Sequence, residues 1–231
     1  MSADWPKAPP YPHGSDYEDL YANYYERDPF ALPKASQMDL TGLCVADICC
    51  GSAPVAKAAL ELGAKTAFAL DAQLEMLPVK AIPGLIPVNA HVADFLSKPS
   101  LRDGKQLDAI FCRQAVNYWM LGVEGAGALI AGALAEGGHF VFNTFLDKPS
   151  SEPVVRITGT GAERIIETMW LAADGAIHHS QFRSGRAPHA TKFDWISEED
   201  FRRILSPYFH IRIERKGSGA MVDCAKKPAA F

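Results

Sequence analysis

Short apolar segments alternate with helical segments from residue 43 to residue 145, and this alternation constrains the fold more strongly than any other feature. The segments 43–48, 66–70 and Leu107–Cys112 have the length and composition of strands buried on both faces. Pro54 follows the first of them at a position that opens a helix, and Gly63 ends that helix. Because strands joined through helices run parallel, the pattern predicts a parallel sheet covered on both faces.

Weaker signals extend this predicted sheet toward the end of the chain. A third strand ends near Asp94, and the Gly137-Gly138 pair is typical of a turn between a helix and a fifth strand. Acids directly behind Ser197 predict a capped helix, which two hairpin-linked strands follow. In chain order these segments are the strand 87–92, the helix 125–135, the strand 139–145, the helix 197–205 and the strands 209–214 and 220–225.

Four strand-like segments without intervening helices interrupt this alternation between the fifth strand and the last helix. Turn signals at residues 173–175 and 184–186 separate them, which is typical of an antiparallel meander. The predicted fold is therefore α/β, with a Rossmann-like, doubly wound, seven-stranded sheet that is mostly parallel with an antiparallel last strand, plus an inserted antiparallel β meander. The segments of the meander are residues 154–160, 165–171, 176–182 and 191–195.

The domain organisation predicted from this pattern has two parts. Residues 1–40 form an N-terminal extension, in which four prolines within the first 14 residues favour extended chain and residues 15–27 form a tyrosine-rich cap helix. Residues 41–231 form the main domain, with the β insertion at about residues 150–196.

Composition narrows the classes of protein to which the chain can belong. The net charge is −4, from 23 basic and 27 acidic residues, and no basic block offsets it, so nucleic-acid binding is disfavoured, although a single basic groove stays compatible with this total. The longest apolar run is too short to cross a bilayer, and the first residues lack the pattern of a signal peptide. Five cysteines, an odd number, favour free thiols, so we expect a cytoplasmic protein.

Three carboxylates, Asp47, Asp71 and Asp94, are placed at the carboxyl ends of the first three predicted strands. In an open parallel sheet, ligands bind beyond these strand ends. An acid that closes the second strand can accept both hydroxyls of a ribose, and one after the third strand can accept the amine of adenine. The turn after the first strand contains one glycine, Gly51, where a dinucleotide fingerprint has three, so a nucleoside ligand without a phosphate fits best. The adjacent Cys49 and Cys50 lack a Cys or His at zinc spacing, so no metal site is predicted.

Four segments together resemble the motifs of class I S-adenosylmethionine-dependent methyltransferases. The resemblance runs in order through most of the chain, from about residue 43 to residue 225. It departs from the family at Ala53, where the first motif usually carries another glycine. The segments are residues 45–53 for the first motif, 68–77 for the second strand, 107–118 for the fourth strand and 137–142 for the fifth.

The resemblance implies a set of cofactor contacts. Gly51 and the backbone beside Cys49 are expected to hold the methionine portion, and Asp71 the ribose. Asp47 either contacts the cofactor or organises the turn through backbone N–H groups, and both interpretations stay open. For Asp71, the alternative to a ribose contact is a solvated acid that caps a helix. The other implied contacts are Ala72 and Gln73 beside the adenine, Asp94 and Phe95 around the base, Arg113 at the mouth of the site, and Tyr25 in an N-terminal segment that covers the cofactor.

The substrate end is less defined by the sequence. Asn117, Tyr118 and Trp119 follow the fourth strand and are predicted to line the acceptor pocket. His178 and His179 alternate in the meander, so at most one of them points inward, and a structural or surface role is the alternative. His178 is also assigned to substrate binding, and His178 and Tyr118 are the candidate catalytic residues.

The resulting expectation is an S-adenosylmethionine-dependent methyltransferase, acting on a nitrogen or oxygen of a small-molecule metabolite by in-line displacement. An RNA or protein methyltransferase and a non-catalytic S-adenosylmethionine-binding module are the alternatives. We expect no membrane partner, and a monomer or a homodimer.

Overall fold

The computed structural model describes residues 36–78, 80–158, 165–183, 189–216 and 219–228. The predicted cap helix and Tyr25 lie outside the described residues. The chain divides into two compact units. One contains Lys148–Trp195, and the larger one contains the described parts of Ala22–Asp147 and Ile196–Phe231.

The sheet of the larger unit has seven strands among the described residues, which are β1 (Cys44–Ile48), β2 (Thr66–Asp71), β3 (Leu85–Asn89), β4 (Leu107–Cys112), β5 (Leu134–Phe145), β10 (Phe209–Lys216) and β11 (Gly219–Lys226). Their order in the sheet is β10-β11-β5-β4-β1-β2-β3. The pairs β1–β2, β1–β4, β2–β3 and β4–β5 are parallel, whereas β11 is antiparallel to both β5 and β10. The predicted mostly parallel sheet with an antiparallel last strand is thereby confirmed.

Two apolar cores lie on the two faces of this sheet, because successive strand residues point to opposite sides. Phe68, Phe140 and Phe142 belong to the larger core, and Val45, Phe111 and Val141 belong to the other. The helices of this unit are α1 (Pro54–Glu61), α2 (Val92–Ser97), α3 (Ala126–Ala133) and α4 (Glu198–Leu205), with 3₁₀ turns at Leu74–Met76, Pro99–Arg102 and Val116–Tyr118.

Two predicted boundaries in this sheet are wrong. The third strand is Leu85–Asn89 rather than residues 87–92, because Val92 already begins α2. The fifth strand begins at Leu134, and the predicted turn at Gly137-Gly138 lies inside it. Gly137 has a positive φ of 71°, and the β4–β5 register passes from the pair Leu107–Leu134 to the pair Ala109–His139, so the glycines lie in an irregular segment of β5.

The smaller unit is an antiparallel sheet in the order β6-β7-β8-β9, which confirms the predicted meander. Ile177 is fully buried in this sheet, and on the other face of the same strand the imidazole of His178 stacks on Trp170, with 5.2 Å between ring centroids. The strands are β6 (Val154–Thr158), β7 (Ile165–Leu171), β8 (Ala176–Arg183) and β9 (His189–Asp194).

Candidate functional site

The turn between β1 and α1 has an unusual backbone. Cys49, Gly51 and Ala53 all have positive φ, at 55°, 53° and 61°. A left-handed conformation is natural for glycine but costs a residue with a side chain about 1 kcal/mol or more. The turn therefore keeps a glycine-type conformation at Cys49 and Ala53 without the glycines.

Asp71 ends β2 and joins this turn to the second strand. Its Oδ2 accepts the backbone N–H of Gly51 at 3.0 Å, and its Oδ1 accepts the backbone N–H of Gln73 at 3.0 Å. Burial raises the pKa of the Asp71 carboxyl, while these two N–H donors act in the opposite direction. Each carboxylate oxygen can accept more than one hydrogen bond, so Asp71 can still receive hydroxyl donors.

The segment after Asp71 is fixed by a residue that the sequence analysis did not single out. The side-chain amide of Asn89 donates to the carbonyl oxygens of Asp71 at 3.1 Å and of Ala72 at 3.0 Å. Ala72 is exposed, and the side-chain oxygen of Gln73 is buried without a hydrogen-bond partner among the described residues. Asn89 ends β3, whereas the predicted third strand ran over residues 87–92 and placed Asn89 in its interior, so the sequence offered no signal for this role.

Asp47 lies beneath the turn. It is 1% exposed, and its Oδ2 accepts the backbone N–H of Ala56 in the first turn of α1 at 3.1 Å. Burial raises the pKa of Asp47 to about 8, although this N–H bond and the nearby Arg113 lower it. Of its two open interpretations, these contacts favour the acid that organises the turn.

Asp94 and Phe95 lie in α2 and not at a strand end. The Asp94 carboxylate pairs with the Lys98 ammonium at 2.7 Å on the exposed side of the helix, and this pairing lowers the pKa of Asp94. Phe95 is fully buried in the larger core, where its ring packs edge-on against Phe68. The premise that placed both residues at the end of the third strand is therefore corrected, and their contact with a base remains only a prediction.

Two consecutive residues of β5 hold the loop that follows β4. Asn143 accepts the backbone N–H of Gln114 at 2.8 Å through its side-chain oxygen, and Gln114 has a positive φ of 51°. The hydroxyl of Thr144 donates to the side-chain oxygen of Asn117 at 2.9 Å, and both residues are buried. The sequence analysis missed Asn143 and Thr144, because polar residues inside an apolar strand segment carried no recognised motif.

The loop places its predicted substrate residues in different environments. Tyr118 is 40% exposed, whereas Asn117 is buried. Trp119 is 6% exposed and lies in the core, where it packs edge-on against Phe140. This packing leaves little of the indole surface for a ligand. Arg113, at the end of β4, is half-buried and contributes positive charge near Asp47.

The smaller unit, taken by itself, separates its two histidines as alternation requires. His178 stacks on Trp170, and Nε2 of His179 lies 3.7 Å from the Glu167 carboxylate. Pairing with His179 lowers the pKa of Glu167, and a hydrogen bond from Gln181 acts in the same direction. Stacking on an aromatic ring is typical both of a packing histidine and of one that presents a flat surface to a ligand. The assignment of His178 to substrate binding or catalysis therefore stays a prediction.

No group of three or more His, Cys, Asp or Glu side chains that could hold a metal ion occurs among the described residues. No helix in the described part of the chain has the length and apolar character needed to cross a membrane.

The residues around the β1 and β2 ends fit S-adenosylmethionine. Asp71 has acceptor capacity for the two ribose hydroxyls, and the unpartnered side-chain oxygen of Gln73 can accept a polar hydrogen of the nucleoside. Gly51 carries no side chain that would keep a ligand from the backbone. Ala53 is the departure from the family pattern, but it retains the left-handed conformation of the glycine that it replaces.

Comparisons with known proteins agree with this geometry. Residues 46–142 match the sequence family described as "Methyltransferase domain". A search of curated protein sequences finds no match.

Solved structures share the fold over nearly the whole chain. Streptomyces venezuelae DesVI has a TM-score of 0.65 at 14% identity, with 92% of this chain and 99% of that chain covered. The sugar N-methyltransferase KedS8 of a Streptoalloteichus species has a TM-score of 0.62 at 14% identity, with 99% of both chains covered. Burkholderia thailandensis 1,6-didemethyltoxoflavin-N1-methyltransferase, solved with 1,6-didemethyltoxoflavin and S-adenosylhomocysteine, has a TM-score of 0.53 at 13% identity, with 93% and 87% covered.

The family match includes Asp47 in β1, Asp71 at the end of β2 and Arg113 directly after β4. Residues 46–142 therefore carry the pattern of a methyltransferase domain, within a chain whose seven-stranded sheet has an acid at the end of β2.

Proposed function

We propose that this chain is a class I S-adenosylmethionine-dependent methyltransferase. It would transfer the methyl group of the cofactor to a nitrogen or oxygen atom of a small metabolite, with nitrogen as the favoured atom. The observation that carries this proposal is the likeness to a sugar N-methyltransferase that extends over 99% of both chains, and so includes the β6–β9 insertion. The 1,6-didemethyltoxoflavin-N1-methyltransferase, whose name specifies a nitrogen atom as the acceptor, has the same fold.

The cofactor contacts that we propose centre on the end of β2. Asp71 would bind the ribose hydroxyls, because its carboxylate is fixed by two backbone N–H donors and keeps acceptor capacity. Gly51 and the Cys49 backbone would face the methionine portion. Asp47 would act through the turn by holding the N-terminus of α1, and Arg113 would lie at the mouth of the site.

Transfer needs little acid–base chemistry from the protein. S-adenosylmethionine supplies, when bound, a methyl group already activated by its sulfonium. The residues of this chain would then align the acceptor and exclude water, which is the contribution that proximity makes to an in-line displacement. An amine acceptor must arrive neutral, whereas a hydroxyl acceptor gains from a general base.

The loop after β4 is the proposed acceptor platform of the larger unit. The Asn143–Gln114 hydrogen bond holds its backbone and the Thr144–Asn117 hydrogen bond holds one of its side chains, while Tyr118 is 40% exposed. Tyr118 is the candidate acid or base from this unit, and His178 is the candidate from the smaller unit. A fixed loop with one accessible phenol is suited to orienting a small acceptor.

The charge of the chain weighs against the main alternative. An RNA methyltransferase must attract phosphates, and a net charge of −4 provides no overall attraction. A protein methyltransferase and a non-catalytic S-adenosylmethionine-binding module are further alternatives.

A transfer assay separates these possibilities. Purified protein, S-adenosylmethionine labelled at the methyl group and separate pools of small amines, hydroxylated metabolites, total RNA and protein are incubated in parallel. We expect label in the amine pool, with less or none in the hydroxyl pool. Label only in RNA or protein would overturn the proposal. Binding of S-adenosylhomocysteine by calorimetry without transfer to any pool would favour the non-catalytic module.

A further inference from the structure

Two cysteines, Cys49 and Cys112, lie near each other where β1 leads into the turn before α1. Asp47 of β1 pairs with Phe111 of β4, so the parallel register brings Cys112 beside Ile48, one residue before Cys49. Neighbouring strands lie about 4.8 Å apart. Cys49 and Cys112 also share the larger core, whereas Cys50 belongs to the core on the opposite face of the sheet.

The two side chains are in direct contact. The thiols of Cys49 and Cys112 form a hydrogen bond with each other, while the Cys50 thiol donates to the carbonyl oxygen of Gly51 at 3.3 Å. Cys112 is fully buried and Cys49 is half-buried. All five cysteines are free thiols in this structure.

We propose that Cys49 and Cys112 form a reversible disulfide, which makes this pair an oxidation site beside the turn between β1 and α1. The oxidant is a peroxide. The Cys49 sulfur takes one oxygen from hydrogen peroxide, giving a sulfenic acid and water. The Cys112 sulfur then attacks the Cys49 sulfur and expels a second water, so two thiols and one peroxide yield one disulfide and two waters. A dithiol reductant reverses the bond by thiol–disulfide exchange.

The disulfide would alter the turn between β1 and α1 through Cys49, the first residue of that turn. A disulfide has a sulfur–sulfur distance of about 2.05 Å, shorter than any contact between two thiols. Its formation therefore draws Cys49 toward β4, and with it Gly51, whose N–H is bonded to Asp71. We expect the oxidised protein to bind the nucleoside at least about tenfold more weakly. This consequence rests on the proposed cofactor contacts, whereas the disulfide itself does not.

The environment of Cys49 makes the reaction with peroxide slow. The hydrogen bond with Cys112 and burial hold the pKa of the Cys49 thiol well above its usual range, and the nearby Asp71 and Cys50 act in the same direction. Since the thiolate is the form that reacts with peroxide, the full chain should be oxidised at mildly alkaline pH over hours.

Mass spectrometry tests the disulfide without reference to the cofactor. The full chain is treated with hydrogen peroxide, denatured, alkylated at its remaining thiols and digested with trypsin. We expect a peptide pair that contains Cys49 and Cys112, lighter by two hydrogen atoms than its reduced components. The pair should form equally in the matched control Cys50→Ser and should be missing from Cys49→Ser.

A second variant and a second readout complete the test. Cys112→Ala should also lack the linked peptides, and Cys49→Ser keeps the test valid if Cys112→Ala does not fold. A disulfide that persists in Cys49→Ser, or no linked pair in the parent protein, would overturn the proposal. Calorimetry with S-adenosylhomocysteine should give weaker binding after oxidation and recovery with dithiothreitol. Equal affinity in both states would refute the effect on the pocket, whereas failure of the reduced protein to bind would instead refute the cofactor assignment.

Discussion

The backbone N–H of Gly51 donates to Oδ2 of Asp71 at 3.0 Å, which joins the turn after β1 to the end of β2. The proposed cofactor contacts lie in this turn and at the end of β2, and the Asp71 carboxylate links the two segments. A nearby second N–H, from Gln73, fixes the other oxygen of Asp71. The carboxylate is thereby oriented before any ligand arrives, which reduces the cost of ordering it on binding.

Replacement of Asp71 should therefore weaken nucleoside binding. In Asp71→Ala, the ribose hydroxyls lose their acceptor and the Gly51 N–H loses its partner. Loss of a hydrogen bond to a charged group costs about 1.5–3 kcal/mol, so the dissociation constant for S-adenosylhomocysteine should rise about 10- to 150-fold. Isothermal titration calorimetry measures this change directly.

The control for this variant is a nearby acid. Glu75→Gln removes an exposed carboxylate that acts on Asp71 through its charge. Its affinity for S-adenosylhomocysteine should stay close to that of the parent protein. Unchanged affinity in Asp71→Ala would contradict the assignment of the ribose to this residue.

Asp47 should make stability depend on pH in the direction opposite to an ordinary ion-paired acid. Its pKa is raised to about 8 by burial, against about 4 in an unfolded chain. Below pH 4 the group is protonated in both states and its contribution is fully present. As pH rises from 4 to 8, only the unfolded state releases the proton, so stability falls, and the loss is complete above the folded pKa.

Asp47→Asn should remove this dependence while its amide oxygen still accepts the Ala56 N–H. Urea unfolding at pH 5 and pH 8 should show a smaller fall in the free energy of unfolding for the variant than for the parent protein. Asp39→Asn is the control of opposite sign, because hydrogen bonds from Thr41 lower the pKa of Asp39. Identical pH dependence in the parent protein and Asp47→Asn would refute this account.

The sequence predicted the fold because local and global signals agree along β1, β2 and β4. Each of these strands is an apolar run with clear turn residues beside it, and the predicted bounds of Leu107–Cys112 are those observed. The bounds of the third strand were predicted wrongly because Pro87 lies inside β3, and proline normally marks the start of a strand. Asp94 was misplaced with it, since its assignment depended on where that strand ended.

The site was predicted less completely than the fold. Asp71 could be singled out because an acid at a strand end has a local signal. Asn143 and Thr144 act through residues 29 and 27 positions earlier in the chain, and contacts of that kind depend on strand order. Sequence periodicity gives the face on which a side chain lies but not the loop that it meets.

Thr144 should stabilise the proposed acceptor loop. Thr144→Val keeps the side-chain volume but removes the hydroxyl that donates to the side-chain oxygen of Asn117. A lost hydrogen bond at a buried site should cost about 1–3 kcal/mol of unfolding free energy. Chemical denaturation measures this cost. With an acceptor found in the transfer assay, KM for the acceptor should rise more than the dissociation constant for S-adenosylhomocysteine.

An exposed hydroxyl gives the comparison for Thr144. Ser97 lies in α2, where its hydroxyl donates to the carbonyl oxygen of Ala93 at 2.7 Å on the surface. Ser97→Ala should change stability by less than about 0.5 kcal/mol and leave both substrate constants unaltered. If Thr144→Val also left stability and acceptor KM unchanged, the loop would not depend on this hydrogen bond.

Two glycines of α3 should respond to alanine in opposite directions. A Cβ at Gly127 would collide with the carbonyl oxygen of Ile204 and lie 3.0 Å from the Tyr208 ring, so the α3–α4 contact must open. A Cβ at Gly132 meets nothing within 4 Å among the described residues. Gly127→Ala should therefore lose about 1–3 kcal/mol through overpacking, whereas Gly132→Ala should gain up to about 1 kcal/mol from helix propensity. Urea denaturation of both variants measures these changes, and a Gly127→Ala protein as stable as Gly132→Ala would show that the two helices do not pack this closely.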